Sequence, residues 1–161
     1  MLTPIIILSI LAAPLAFAFA LAAVNDQTVN LKKYANWGLA GAFAFFAIGH
    51  FVQTSGMVEM LPAWVPYRYP LVYVTGVLEL LVAIALLSSR WQATAAKTAI
   101  TMLIVFFPAN LYAAFNAIGL GGHQWGPSYL WIRTPLQIIL IGWAYFLCLK
   151  IQSTQVEKTI S

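Results

Sequence analysis

This sequence predicts an all-α membrane protein, and three observations support that fold class. Hydrophobic residues make up 62% of the chain and charged residues only 7%, where a soluble domain carries roughly 25% charged residues. Mean hydropathy is +0.87. Five stretches approach the ~20 apolar residues needed to cross a hydrocarbon core, separated by short polar breaks. An exterior so poor in charge must face lipid. Apolar runs of this length without strand alternation span lipid as helices.

The first span, residues 2–24, carries no charge. Ala18, Ala20 and the Ala22–Ala23 pair resemble a signal-peptide cleavage site. No lysine or arginine precedes the run, however, and it exceeds a typical signal core, so a retained helix is expected. The second span, 34–52, follows Lys32 and Lys33, and its Gly38 and Ala42 form a small-residue pair suited to helix packing. The connection 53–69 holds Pro62 and Pro66, which forbid a long regular helix. Before them, Met57, Val58, Met60 and Leu61 suit a short helix pressed into the headgroup region. The third span, 70–89, is apolar except for Glu79, and the fourth, 98–120, is uncharged. Gly121-Gly122-His123-Gln124-Trp125-Gly126-Pro127 reads as turns. The fifth span, 131–149, contains only Arg133, and residues 151–161 form a short polar tail.

Charge sets the expected orientation. Lys32, Lys33, Arg90, Lys97, Lys150 and Lys158 fall on one side, against Arg68 and Arg133 on the other. Basic loops stay in the cytoplasm, so the N-terminus is expected outside and the C-terminus inside, in a cell membrane and most simply a bacterial inner membrane. Trp64, Tyr67, Tyr69, Trp125, Tyr129 and Trp131 would form an outer aromatic belt, with Tyr34, Trp37 and Trp91 at the inner face. The net charge of +4 is spread along the chain without a basic run, which argues against nucleic acid as a partner. A single cysteine, Cys148, excludes an intramolecular disulfide and the usual zinc cluster. His50 with His123 as haem or metal ligands is disfavoured, since His123 lies in a loop and no third ligand offers itself, so no metal is expected.

An ionisable side chain in hydrocarbon costs at least ~2.5–3.5 kcal/mol, so it should face the bundle interior and have a partner. Glu79 lies roughly 13 Å below the outer end of its span, Asn110 roughly 15 Å, and Gln137 roughly 9 Å, at ~1.5 Å per residue. Arg133 and His50 lie within about two residues of that end. Side chains from four helices thus share the outer half of the membrane. Thr75, Gly76 and Ala83 continue the Glu79 face as a small stripe where another helix can approach. Arg133 and Gln137 are one turn apart and point the same way. Pro135 either sits in the first turn of its helix or kinks a longer one starting near Ser128. Pro108 should free a carbonyl close to Asn110. Plainer roles remain open: a Glu79–Arg133 ion pair fixing register, Asn110 and Gln137 as interhelical glue, and His50 as a structural histidine.

Gly49-His50-Phe51, Thr75-Gly76-Val77-Leu78-Glu79-Leu80-Leu81, Phe107-Pro108-Ala109-Asn110 and Arg133-Thr134-Pro135-Leu136-Gln137 together resemble the DoxX family of small four-helix membrane proteins. The resemblance covers roughly residues 36–150. It implies a single integral membrane domain, with a DoxX-like four-helix core and residues 2–24 as an additional N-terminal helix. The wider group includes a quinone-linked subunit of thiosulfate oxidation, accessory proteins of redox-enzyme maturation and a receptor-assembly chaperone. The resemblance therefore implies a bundle that partners another protein or handles a small hydrophobic molecule.

The leading expectation is a binding or accessory protein rather than an enzyme acting alone. His50, Glu79, Asn110, Arg133 and Gln137 would hold the polar head of a lipid-soluble ligand, a quinone or another lipid, with Trp143 and Tyr112 lining the tail path. A membrane subunit of a quinone-linked oxidoreductase is the alternative. It would draw electrons from a redox partner, since the chain has no haem ligand set, dinucleotide fingerprint or redox cysteine pair. An assembly chaperone or structural subunit is a third class, and a transporter finds little support in five short helices without inverted halves.

Overall fold

Backbone N–H and C=O groups in hydrocarbon must find partners within the protein, and the apolar runs do so by coiling into α-helices. The computed structural model describes residues 2–25, 28–118 and 123–151, except for the side chains of residues 123 and 124. The tail beyond residue 151 with Lys158, the Gly121–Gly122 pair and the side chain of His123 therefore lie outside the described residues. In chain order the elements are α1 (Leu2–Asn25), α2 (Leu31–Val52), α3 (Thr54–Glu59), α4 (Arg68–Leu87), α5 (Gln92–Phe115) and α6 (Leu130–Trp143). A 3-10 stretch, His123–Tyr129, leads into α6, and a π-helical stretch, Ala144–Lys150, continues it. Five of these helices are long and apolar enough to cross a membrane, the last counted from Trp125 to Lys150. The protein is a multi-pass helical membrane bundle.

Local chemistry sets the ends. Asn30 caps α2 by accepting the Lys33 N–H at 3.0 Å, the usual role of an asparagine before a first turn. The largest departure from the sequence expectation is α5, which begins at Gln92 rather than Thr98 and ends at Phe115 rather than Leu120. Polar Thr94 and Lys97 do not stop a helix; they merely decorate its first turns. At the far end, the Asn116 amide donates to the Tyr112 carbonyl and Ala117 turns left-handed, with φ of 51°. Asn110 therefore lies five residues from the helix end, about 8 Å rather than 15 Å. Pro135 falls inside α6, so the longer helix is the one formed.

Helix α2 is the hub. It packs along α4, along α1 and against the π-helical stretch, while α5 joins α4 to the last span. Helices α2, α4, α5 and α6 thus close a ring, and α1 lies outside it. The buried side of α1 is a single stripe, Pro4, Ile7, Leu11 and Ala18. A Cβ added to Gly38 would collide with the Leu11 main-chain carbonyl, and one on Gly41 would come within 2.8 Å of Ile10. These glycines let the backbones of α1 and α2 approach closely. Below the ring's midpoint the core is alanine-rich: Ala35, Ala42, Ala96, Ala99 and Ala144 have no exposed surface, and neither does Cys148. The Trp143 indole N–H closes this half by donating to the Ala35 carbonyl at 3.0 Å. Trp64, Tyr67, Trp125 and Trp131 project outward as belt residues. Tyr129 does not belong with them, because the 3-10 turn before α6 rolls it inward, where it is 3% exposed.

Candidate functional site

The half of the bundle that carries α3 is built differently. A cavity of about 750 Å³ opens there, and His50, Glu79, Asn110, Arg133 and Gln137 all stand on its wall. Its size is within the range of small-molecule sites, and its wall is mainly apolar with a few convergent polar groups. Every residue singled out by its cost in hydrocarbon is therefore brought to one place, although no two of the four helices are consecutive turns of one motif.

His50 and Glu79 make the first polar pole. The last turn of α2 meets α4 at Gly76, where an added Cβ would lie 2.6 Å from the His50 Cβ. Only a glycine admits the histidine so close to the α4 backbone. His50 Nδ1 lies 2.9 Å from the Val72 carbonyl, an acceptor only, so that nitrogen carries a proton. Thr75 Oγ1 is 3.2 Å from the same nitrogen and gives its own hydrogen to the Leu71 or Val72 carbonyl. The ring is thereby fixed with Nε2 toward Glu79, 3.3 Å from Oε2. That approach is out of line for a hydrogen bond, and the Glu79 Oε2 atom, buried, has no hydrogen-bond partner among the described residues. With Nδ1 committed, the contact holds either a charged imidazolium against a carboxylate or a neutral ring against a carboxylic acid.

Arg133, Asn110 and Gln137 make the second pole. The Arg133 guanidinium donates to Asn110 Oδ1 at 3.2 Å, and the Asn110 amide donates back to the Phe106 carbonyl of its own helix at 3.1 Å. Asn110 is thus held at both ends and orients the arginine, whose fork offers five N–H donors in all. The Gln137 amide donates to the Leu103 carbonyl at 2.5 Å. That carbonyl precedes the one at Ile104, which loses its helical donor to Pro108, and the proline ring bends the helix open at this level. The expected freed acceptor lies one residue away from the one the glutamine uses. Tyr129 sits beside Arg133 and within its electrostatic reach, as Glu79 does from across the cavity.

Two expectations need correcting. Glu79 does not take Arg133 as an ion-pair partner; its salt-bridge contact is His50, because Gly76 brings α2 against α4 while α6 stays across the cavity. Trp143 and Tyr112 are not on the cavity wall, and the aromatic lining comes from Phe45, Phe46 and Phe106 instead. Trp143 lies about one turn beyond Leu140, the last α6 residue on the wall, and is spent on Ala35.

Sequence reasoning also left out part of the wall. Met57, Met60 and Leu61 cover the cavity from α3 and the turn after it, with Val58 buried beneath. Their apolar pattern predicts a short helix pressed into the headgroup region and does not by itself point to a cavity wall. Thr3 and Ile7 reach the wall from α1, and no signal in a uniformly apolar helix distinguishes them.

No curated protein and no solved structure matches this chain. A family model does match, over residues 39–148, from the middle of α2 to the π-helical stretch, leaving α1 outside. The chain belongs to the family described by that model, a domain of unknown function designated DUF8561.

Proposed function

We propose that this protein is a DoxX-like membrane accessory or binding protein whose cavity holds the polar head of a small hydrophobic ligand, best matched by a quinone. The observation that carries this reading is the convergence of His50, Glu79, Asn110, Arg133 and Gln137 on the otherwise mainly apolar wall of one 750 Å³ cavity. Across the space, Arg133 offers donors to a carbonyl oxygen, and the apolar wall suits a ring. A quinone head accepts from Arg133 through a carbonyl oxygen, and its quinol form can in addition donate a hydroxyl toward the Glu79 side. In this reading the ends bearing Lys32, Lys33, Arg90, Lys97 and Lys150 face the cytoplasm of a bacterial inner membrane. The N-terminus is then outside, the C-terminus inside, and the cavity in the outer leaflet.

The test has two parts. An organic extract of the purified protein, examined by mass spectrometry, should contain a retained hydrophobic molecule. Arg133→Ala should weaken quinone binding in lipid nanodiscs, and Glu79→Gln quinol binding, each by ~10-fold or more, the usual effect of losing a hydrogen bond to a charged group. Unchanged affinity in folded variants removes the reading.

The His50–Glu79 contact favours one second reading, a membrane subunit of a quinone-linked oxidoreductase in which this pair passes a proton to the bound head. The electrons would come from a redox partner. Quinone turnover that needs a co-purifying partner, and that is lost in His50→Ala while binding survives, separates this reading from simple binding.

A further inference from the structure

The cavity does not end at its polar groups. On the side between α4 and α5 its wall consists of Leu71 and Thr75 facing Val105 and Ala109. A second hollow of about 300 Å³ lies between the same two helices, lined by Leu78, Val82 and Ala85 on α4 and by Ala95, Thr98 and Met102 on α5. The two share no lining residue but lie along the same helix pair. The two helices are joined by a tight turn around Arg90. Counted outward from Arg90, Ala85 and Ala95 stand at equal distances, as do Val82 and Thr98, Leu78 and Met102, Thr75 and Val105, and Leu71 and Ala109. Each set climbs its helix in steps of three and four, the spacing of one face. The hollow and the cavity are therefore the lower and upper parts of one seam.

From Leu71 to Ala85 the seam is roughly 21 Å long at ~1.5 Å per residue. Half of a hydrocarbon core is roughly 15 Å, so a chain lying in the seam passes the midplane, beyond the depth of a single leaflet. The lower part is mainly apolar, with Thr94 and Thr98 as its polar members. The Thr98 hydroxyl there is spent on the Thr94 carbonyl at 3.0 Å. Trp91 closes the far end of the hollow. Leu78 and Val105 are 46% and 62% exposed, so the seam is open along its side to the lipid and can be filled laterally.

We infer that the α4–α5 seam is the channel for the tail of the cavity's ligand, and that this ligand is a lipid with a single hydrocarbon chain long enough to cross the midplane. The inference rests on the reading of the cavity as a head-group site. Because lipid is as apolar as the seam, the tail gains only packing on entering it. The expected chain-length preference is therefore moderate.

Two probes test it in phosphatidylcholine nanodiscs: ethyl-para-benzoquinone and hexadecyl-para-benzoquinone, with affinities expressed relative to their concentration in the bilayer. The wild type should bind the long probe ~10-fold more tightly than the short one, the effect of packing alone over one chain. Leu78→Trp, at a position open to lipid, should fill the seam and reduce the long probe to the affinity of the short one, leaving the short one unchanged. Thr98→Phe should do the same from the opposite helix, and Leu80→Trp, outside the hollow, should do neither. Equal affinity of the wild type for both probes means that the seam holds ordinary bilayer lipid and overturns the inference while the head-group site stands. A chain-length preference that survives both Leu78→Trp and Thr98→Phe overturns it as well. Binding of the short probe alone overturns the inference while the head-group site stands, and failure of both probes to bind the wild type removes the head-group site itself.

Discussion

Gly76→Ala offers the sharpest test of how the first pole is assembled. The new Cβ would lie 2.6 Å from the His50 Cβ, with the His50 Cγ at 3.3 Å and the Phe51 ring at 3.4 Å. Carbon atoms rest at about 3.5–4.0 Å, so α2 and α4 must separate by roughly 1 Å at this level. The clash is with an atom fixed to the α2 backbone, which cannot swing aside as a side-chain tip could. Overpacking of this kind costs about 1–3 kcal/mol. The same separation would carry the His50–Glu79 contact from 3.3 Å to beyond the ~4 Å limit of an ion pair. Gly142→Ala is the internal control, since an added Cβ there meets nothing within 4 Å. It should be stabilising by about 0.5–1 kcal/mol, because alanine is the better helix former. Detergent-driven unfolding in bicelles, followed by tryptophan fluorescence, measures both. Gly76→Ala matching the wild type while Gly142→Ala shows its gain would refute the close-approach argument.

Three further outcomes follow from other contacts. Gly38→Ala should release α1 from α2, since its Cβ meets the Leu11 main chain; proteolysis between residues 25 and 31 should speed up while the α2–α6 ring stays folded. Gln137→Leu removes the bond to the Leu103 carbonyl and should lower unfolding free energy by only about 0.6 kcal/mol, the average for interhelical bonds in membranes. Cys148, with no exposed surface, should resist maleimide in the folded protein and react on denaturation; labelling in the native state would show that the π-helical stretch does not pack as described.

Much of this architecture can be read from the residues because lipid imposes a severe rule. Five apolar runs become five helices, and Glu79, Asn110, Arg133 and Gln137 turn inward because facing acyl chains is costly. What could not be read is pairing. Hydropathy says that Glu79 needs a partner but not which cation lies nearest; that choice was made by Gly76, whose significance depends on α2 lying across it. Helix ends were misjudged where polar residues, such as Lys97, continue a helix beyond the hydrocarbon. The place of α3 over the cavity is not legible because an apolar α3 looks the same whether it meets headgroups or roofs a hollow. Tyr129 was placed at the surface because aromatic residues near a span end usually are, and a 3-10 turn reversed its direction.

The distribution of alanine has a mechanical consequence. Near the Arg90 turn and the π-helical stretch the helices are clenched through Ala35, Ala96, Ala99 and Ala144, with side chains too small to repack. Toward α3 the α6 helix stands off across the cavity, while α2 and α4 still meet closely at Gly76. Such a bundle resembles a clothes peg with its spring at one end: thermal motion is stiffly resisted at the fulcrum and amplified at the jaws. Displacement of α6 relative to the α2–α4 pair is therefore expected to concentrate around the cavity.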